Sequence, residues 1–273
     1  MRVSVHCLHG FLGSAQDWES LFSTEASAEF QSIRYNFFSP DSVSNQAGVA
    51  VAEPGLDLEA LGRWVNQRAR LFNAPGSIRV LLGYSLGGRV AMHALAADPQ
   101  LWQAAVLVSA NPGLPESDAQ GRKIRLQADR EWARKFQSGN WEEVVGSWNA
   151  QPVLSGGKVI PIRKPTDFSR SALAASLDHC SLGRQKDLRP ELSRLSLPIL
   201  WVAGENDPKF KTLACEGAAL NPHFQVACLP DAGHRTPWDQ PLLFKKTLHK
   251  FLIENSILKG EVNDDDVDAD SKV

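Results

Sequence analysis

Short apolar runs alternate along the chain with stretches whose apolar residues have helical spacing. Strands that are buried on both faces of a parallel sheet are nearly continuous apolar runs, whereas half-exposed strands alternate. The pattern therefore predicts an α/β fold, with a mainly parallel sheet flanked by helices on both faces. The predicted strands are Val3–Leu8, Ile33–Phe38, Ile78–Leu82, Ala104–Ser109, Leu197–Ala203 and Phe224–Leu229.

Four stretches between these strands are predicted to be helical. They are a short helix near Asp17–Phe22 and longer helices at Leu56–Phe72, Ser85–Ala97 and Leu242–Ile253. Pro-Gly and Asp-Pro pairs end two of them, as expected of residues that break a helix. Residues 40–55 are polar and contain Gly, Ser and Pro, which predicts a loop.

Residues 111–190 carry no convincing strand, and their pattern is helical. We expect them to form a helical cap over one end of the sheet, with residues 1–110 and 191–259 as the core. The last segment, residues 260–273, has six acids, one base and no apolar periodicity. Such a segment is predicted to be a disordered, solvated acidic tail.

Composition narrows the classes of function. A formal net charge of −2 argues against a nucleic-acid binder held by bulk positive charge. No apolar run approaches the ~18 residues of a membrane span, and the N-terminus lacks the pattern of a signal peptide. The four cysteines form no C-x-x-C pair, so we expect free thiols, no zinc site and a cytoplasmic location. These cysteines are Cys7, Cys180, Cys215 and Cys228.

The segment Gly83-Tyr84-Ser85-Leu86-Gly87 fits the G-x-S-x-G pattern between a predicted strand and a predicted helix. In that context the pattern indicates a nucleophile elbow, a turn so tight that side chains on either side of the serine do not fit. Ser85 is therefore the candidate nucleophile.

A serine of this kind needs an imidazole held by a carboxylate. Asp207 follows the strand at Leu197–Ala203, and His234 lies in a glycine-containing loop after the last strand. The order Ser, Asp, His is the one that this architecture uses. Glu205 and Asp231 are the alternative acids.

Fixed donors are also needed where negative charge develops. His9 and Gly10 end the first strand, where they would shape a turn that presents the backbone N–H of Phe11. We expect this N–H and that of Leu86 to form an oxyanion hole.

Charge is concentrated in the predicted cap, which holds 13 Lys and Arg against 9 Asp and Glu. Arg122 and Arg125 share a helix face at i, i+3, and Arg89 lies one turn beyond Ser85. Guanidinium groups suit forked binding of carboxylates. The charge pattern therefore supports a small polyanionic substrate; the sequence does not specify the oligomeric state.

Several segments resemble the alpha/beta hydrolase superfamily and, within it, the 2-succinyl-6-hydroxy-2,4-cyclohexadiene-1-carboxylate (SHCHC) synthases of menaquinone biosynthesis. The superfamily segments are His9–Phe11, Gly83–Arg89, Gly204–Asp207 and Ala232–His234. The narrower resemblance comes from Val90–Met92, Asn111–Leu114, Asp129–Ala133, Trp148, Gln151–Val153, Ser181–Gly183, Asp187–Arg189 and Asp207–Phe210.

This resemblance implies a lyase that eliminates pyruvate from an enolpyruvyl cyclohexene polycarboxylate, without a metal or an organic cofactor. It implies that Ser85, Asp207 and His234 form the triad, with Phe11 and Leu86 as oxyanion donors. It also implies substrate-binding residues: Tyr84 and Trp148 in the pocket wall, and Arg89, Arg125 and Arg163 on carboxylates. Arg170 is the alternative to Arg163, because the loop around them differs in length from the family's.

One departure from the family touches the edge of the site. The family's Asp-x-Pro-Gly-His-Gly turn is replaced here by residues 36–41, Asn-Phe-Phe-Ser-Pro-Asp. Two other functions therefore stay open: a hydrolase with the same triad (an esterase, a thioesterase or a C–C hydrolase), and a ligand-binding protein on the same fold. The complete set of triad residues counts against the second.

Overall fold

The computed structural model describes residues 2–22, 30–39, 49–52, 55–72 and 76–259. The predicted acidic tail, residues 260–273, lies outside these ranges. So do Pro40 and Asp41, which end the unusual turn.

Seven strands of the described chain form one sheet, and all of its neighbouring strands are parallel. The predicted α/β fold with a parallel sheet is therefore confirmed. The strands are β1 (Val3–Leu8), β2 (Phe30–Asn36), β3 (Val49–Val51), β4 (Ile78–Tyr84), β5 (Ala104–Val108), β6 (Ile199–Gly204) and β7 (Phe224–Leu229). Their order is β3-β2-β1-β4-β5-β6-β7.

The structure differs from the sequence predictions at one edge of the sheet. β3 lies in the segment predicted to be a loop, because three residues are too few to produce a strand pattern. β2 begins earlier than the predicted Ile33–Phe38 and ends at Asn36. A 3₁₀ helix at Ala15–Trp18 replaces the short helix expected near Asp17–Phe22.

Helices cover both faces of this sheet. In the described chain they are α1 (Leu58–Leu71), α2 (Leu86–Ala97), α3 (Ala119–Ser138), α4 (Trp141–Asn149), α5 (Arg170–His179), α6 (Arg189–Leu192), α7 (Pro208–Ala218), α8 (Thr236–Asp239) and α9 (Pro241–Glu254). Short 3₁₀ turns lie at Pro99–Leu101, Pro152–Leu154 and Pro165–Asp167.

The core consists of two apolar layers separated by the sheet, since successive side chains of a strand point to opposite faces. In β4, Val80 and Leu82 pack in the layer that contains α9, and Leu81 packs in the layer that contains α1 and α2. All three side chains are fully buried. Burial on both faces explains why β4 is a continuous apolar run.

The strand order reverses at the centre of the sheet. From β1 the chain moves outward through β2 and β3, then returns to place β4 on the other side of β1. The loops that leave the carboxyl ends of β1 and β4 therefore diverge and leave a crevice between them. Ligands of open α/β sheets bind at such a switch point.

Residues 111–190, which we call the helical insertion, lie between β5 and β6 and contain α3, α4, α5 and the first residues of α6. Its helical character agrees with the sequence prediction. Two of its aromatic rings, Phe136 and Trp148, lie 5.1 and 4.6 Å from the ring of Phe11 in the loop after β1. The insertion therefore packs against the loop after β1.

Candidate active site

Ser85 occupies a tight turn between β4 and α2, with φ of 52° and ψ of −110°. A Cβ atom on Gly83 would lie 2.5 Å from the carbonyl oxygen of Gly87, and one on Gly87 would lie 2.2 Å from that of Leu8. Neither position accepts a side chain, which is the physical reason for the two glycines. The turn lifts Ser85 above the carboxyl end of β4.

Ser85, His234 and Asp207 are joined by two hydrogen bonds. Nδ1 of His234 lies 2.8 Å from Oδ2 of Asp207, and its Nε2 lies 3.1 Å from Oγ of Ser85. The His234 and Asp207 side chains are only 5% and 3% exposed. The carboxylate therefore fixes the tautomer with a proton on Nδ1, leaving Nε2 free to accept the serine proton.

Asp207 is held in place by the start of α7. It is the N-cap residue of this helix, and its Oδ1 accepts a hydrogen bond of 3.3 Å from the backbone N–H of Phe210. The two alternative acids, Glu205 and Asp231, are exposed. Asp207 is thus the carboxylate that the structure brings to His234.

The loop after β1 approaches Ser85 closely at Gly10. A Cβ atom there would lie 2.7 Å from a ring carbon of Tyr84 and 3.3 Å from the Cβ of Ser85. Only a glycine allows this contact, and it places the neighbouring residue Phe11 beside Ser85 in the lining of both cavities described below.

The side chain of His9 restrains the loop after β1 through two hydrogen bonds. Its Nε2 accepts a hydrogen bond of 3.0 Å from the backbone N–H of Phe37, so Nδ1 carries the proton and donates to the carbonyl oxygen of Gly10 at 2.7 Å. Complete burial lowers the pKa of His9 to about 4, which keeps the ring neutral at pH 7. His9 therefore links the loop after β1 to the backbone that follows β2.

Two cavities meet at Ser85. The larger, about 540 Å³, is lined by both the core and the helical insertion and includes His234. The smaller, about 110 Å³, extends from Ser85 toward Arg89 and Asn111. Phe11, Arg125 and Lys209 line both cavities. A ligand could therefore place groups in both while its reacting atom lies at Ser85.

Arg89 is the most unusual cation of the site. Its Nε donates to Oε1 of Gln185, and its Nη2 donates to the carbonyl oxygen of Cys180, each at 2.5 Å. Burial, together with the charge of Arg125, lowers the pKa of Arg89 to about 10, so it stays charged at neutral pH. Within the described ranges no carboxylate forms an ion pair with it. A partly buried charge whose hydrogen-bond partners are neutral favours an anionic ligand.

Arg125 and Lys209 add positive charge to the same region. Nε of Arg125 lies 2.9 Å from each carboxylate oxygen of Asp129, which also accepts from Ser181 at 2.7 Å. Partial burial, followed by repulsion from Arg125, lowers the pKa of Lys209. The smaller cavity thus has three cations and one acid in its lining.

Arg163, predicted to bind a substrate carboxylate, lines the larger cavity, where its charge is already matched by an acid. Both Nη atoms donate to the carboxylate of Asp17, at 2.7 and 2.8 Å, and both side chains are mostly buried. Arg170, the alternative, instead donates to the carbonyl oxygens of Phe136 and Gly139 at the end of α3. It is not in the lining of either cavity.

The aromatic wall agrees with the sequence in part. Tyr84 lines the larger cavity, and Trp148 lines both. Burial raises the pKa of Tyr84, so its hydroxyl stays neutral. Trp132 also lines the larger cavity, whereas the indole of Trp141 is buried and donates to the carbonyl oxygen of Arg163.

Lys209, Arg235 and Asp17 are among the polar residues of the cavity wall that the sequence analysis did not assign to the site. Lys209 and Arg235 follow Asp207 and His234 by two residues and one residue, so adjacency to the triad was a usable signal. Asp17 had no such signal, because its partner Arg163 lies 146 positions away along the chain.

Other chemistry finds less support in the described part of the chain. Within it, no group of three or more His, Cys, Asp and Glu side chains could hold a metal ion. All four cysteines are free thiols. No helix among the described residues is both long and apolar enough to cross a membrane.

The model of the alpha/beta hydrolase family matches residues 7–246, and the chain belongs to that family. Within the family, its similarity is to SHCHC synthases. The synthase of Escherichia fergusonii is 31% identical over 241 residues, which cover 86% of this chain and 87% of the relative. That of Serratia proteamaculans is 28% identical over 260 residues, covering 90% and 91%.

Among solved structures, MenH from S. aureus superimposes with a TM-score of 0.79 over 93% of this chain and 94% of that one. At 21% sequence identity, this likeness establishes the fold.

Proposed function

We propose that Ser85, His234 and Asp207 act as a catalytic unit in an SHCHC synthase. The two hydrogen bonds between them support this role, because they align a proton path from Oγ of Ser85 to the imidazole. The Phe11 and Leu86 backbone N–H groups are the proposed oxyanion donors. The close approach of the Gly10 loop to Ser85 supports that assignment.

The observation that carries the substrate class is the partly buried Arg89, whose hydrogen-bond partners are all neutral. Burying an unpaired charge is unfavourable unless a ligand compensates it. A substrate carboxylate in the smaller cavity would supply the missing charge, with Arg125 and Lys209 nearby. The remaining substrate groups would occupy the larger cavity, against Tyr84 and Trp148.

The proposed reaction is the elimination of pyruvate from 2-succinyl-5-enolpyruvyl-6-hydroxy-3-cyclohexene-1-carboxylate to give SHCHC. The Ser85–His234 pair removes a ring proton, and the electron pair delocalises into the conjugated carbonyl that faces the oxyanion donors. When the electrons return, the bond to the enolpyruvyl oxygen breaks, and the departing enolate takes a proton to become pyruvate. Asp207 stabilises the imidazolium formed in between.

Over this site we propose that the helical insertion acts as a cap, since its Arg125, Trp132 and Trp148 contribute to the cavity wall. Closing a site from water strengthens the electrostatic interactions inside it. The free thiols support a cytoplasmic location.

The alternative function is hydrolysis by the same triad, which the apolar and aromatic wall of the larger cavity would also permit. The decisive experiment incubates the purified protein with the enolpyruvyl substrate and follows pyruvate with lactate dehydrogenase and NADH. We expect turnover well above the enzyme-free control, and little hydrolysis of p-nitrophenyl acetate. Fast ester hydrolysis without release of pyruvate would establish the hydrolase instead.

A further inference from the structure

Asp239, in the short helix α8, binds the helical insertion and the loop of His234 with one carboxylate. Its Oδ1 accepts from the backbone N–H groups of Lys158 and Val159, at 2.8 and 3.0 Å. Its Oδ2 accepts from the N–H of Gly233 at 2.9 Å. The side chain is buried, and these three donors replace the water it has lost.

The backbone packs just as closely around this carboxylate. A Cβ atom on Gly233 would lie 2.4 Å from the backbone nitrogen of Gly157, and one on Gly156 would lie 2.4 Å from the carbonyl oxygen of Asn206. Residues 156–159, which we call the strap, therefore touch the loops that carry both His234 and Asp207.

The strap also reaches the cavity. Val159 lines the larger cavity, and its carbonyl oxygen accepts a hydrogen bond of 3.3 Å from Nη1 of Arg235. The same short segment thus forms part of the substrate cavity and part of the support under His234.

We propose that Asp239 is a positioning residue that fixes the His234 imidazole against Ser85 by clamping the His234 loop to the strap. The proposal rests on the catalytic unit proposed above. Charge-assisted hydrogen bonds from three backbone groups restrain both segments more strongly than neutral ones would. Because Gly233 immediately precedes His234, a shift of its backbone moves the imidazole away from Oγ of Ser85.

The test compares Asp239→Asn with the wild-type protein. Asparagine keeps the size of the side chain but has one acceptor oxygen, so it loses the bond to the strap or the bond to Gly233. The readout is the rate constant for inactivation by a small phosphonofluoridate, in which Oγ of Ser85 displaces fluoride with His234 as the base. This probe does not need the substrate-binding arginines.

We expect the rate constant of Asp239→Asn to fall by about tenfold to a hundredfold, since small misplacements of catalytic groups have effects of this size. Fluoride released at completion counts the intact sites, so partial unfolding lowers that count without changing the rate constant. The matched control is Asp178→Asn, which removes the negative charge from the ion pairs with Arg130 and Arg184 inside the insertion and should react at the wild-type rate.

A second variant acts on the same clamp from the strap side. A Cβ atom on Gly157 would lie 2.7 Å from Oδ2 of Asp239, so Gly157→Ala should also slow the reaction, by severalfold. If Asp239→Asn does not fold, the rate constant of Gly157→Ala tests the proposed role of Asp239 instead. Wild-type rate constants in the folded variants would overturn the proposal.

Failure of the underlying triad has a different signature. In that case the wild-type protein would react no faster than His234→Ala, and the role of Asp239 would fall with the triad.

Discussion

The core loops that carry Ser85, Asp207 and His234 differ from the arginines of the helical insertion in how their side chains are held. Ser85, Asp207 and His234 each follow a strand end, and the imidazole of His234 is hydrogen-bonded to the other two side chains. Arg125 and Arg163 come from the insertion, and each is held by an acid, Asp129 or Asp17.

Arg89 belongs to the core but contacts the insertion. It reaches across from α2 to Gln185 and the carbonyl oxygen of Cys180, and neither partner neutralises it. This comparison shows that a cation's position in the cavity wall does not by itself define its role in binding. What matters is whether a carboxylate of the protein already balances its charge.

The largest expected effect tests the core loops. Ser85→Ala should lower kcat by about 10³-fold or more while leaving substrate binding nearly intact, because the triad acts as a unit. Steady-state kinetics of pyruvate release measure it, with thermal unfolding to show that the fold is kept. Near-normal turnover would remove Ser85 from the mechanism.

Neutralising the unpaired cation should have the next largest effect. Arg89→Gln should raise KM by about tenfold to a hundredfold, since a charged hydrogen bond contributes ~1.5–3 kcal/mol. The control is Arg122→Gln, because Arg122 donates to the carbonyl oxygens of Leu114 and Gln185 and lines neither cavity. Equal KM values for Arg89→Gln and Arg122→Gln would show that Arg89 contributes no more to substrate binding than a cation outside both cavities.

The paired cation should matter less. Arg163→Gln should raise KM only a few-fold, because Asp17 already balances the charge that is removed. The single variant leaves Asp17 buried without its partner, which is itself unfavourable. The double variant Arg163→Gln/Asp17→Asn should therefore recover stability and part of the affinity. A double-mutant cycle of KM and urea unfolding measures the coupling; additive effects would contradict the pairing.

The smallest expected effect is on the pH dependence of the free energy of unfolding. His9 has its pKa lowered to about 4 by burial, so the unfolded chain takes up its proton first as the pH falls. The contribution of His9 to the free energy of unfolding is complete above the pKa of histidine in the unfolded chain, which is near 6.5. It is lost as the pH falls toward 4. Between pH 7 and 5 the loss is about 2 kcal/mol.

His9→Gln should remove that part of the pH dependence. Urea unfolding of both proteins at pH 7 and pH 5 measures it. His93, whose pKa burial also lowers to about 4, contributes equally to both proteins and cancels in the comparison. Parallel pH profiles would show that His9 does not titrate in this way.

Much of the fold was predictable because its signals are local. Continuous apolar runs marked the buried strands, and β1 and β7 have the predicted bounds. β3 was not predicted, because its three residues gain their strand character from pairing with β2 rather than from a sequence pattern of their own.

The triad was also encoded locally, because each member lies at a strand end beside turn-forming residues, and parallel strands bring those ends to one edge of the sheet. The balance of charge at the arginines was decided only by the tertiary structure. Asp17 meets Arg163 across 146 positions, and Gln185 meets Arg89 across 96. A guanidinium's role depends on the partners within a few ångströms of it, and long-range folding alone determines which residues those are.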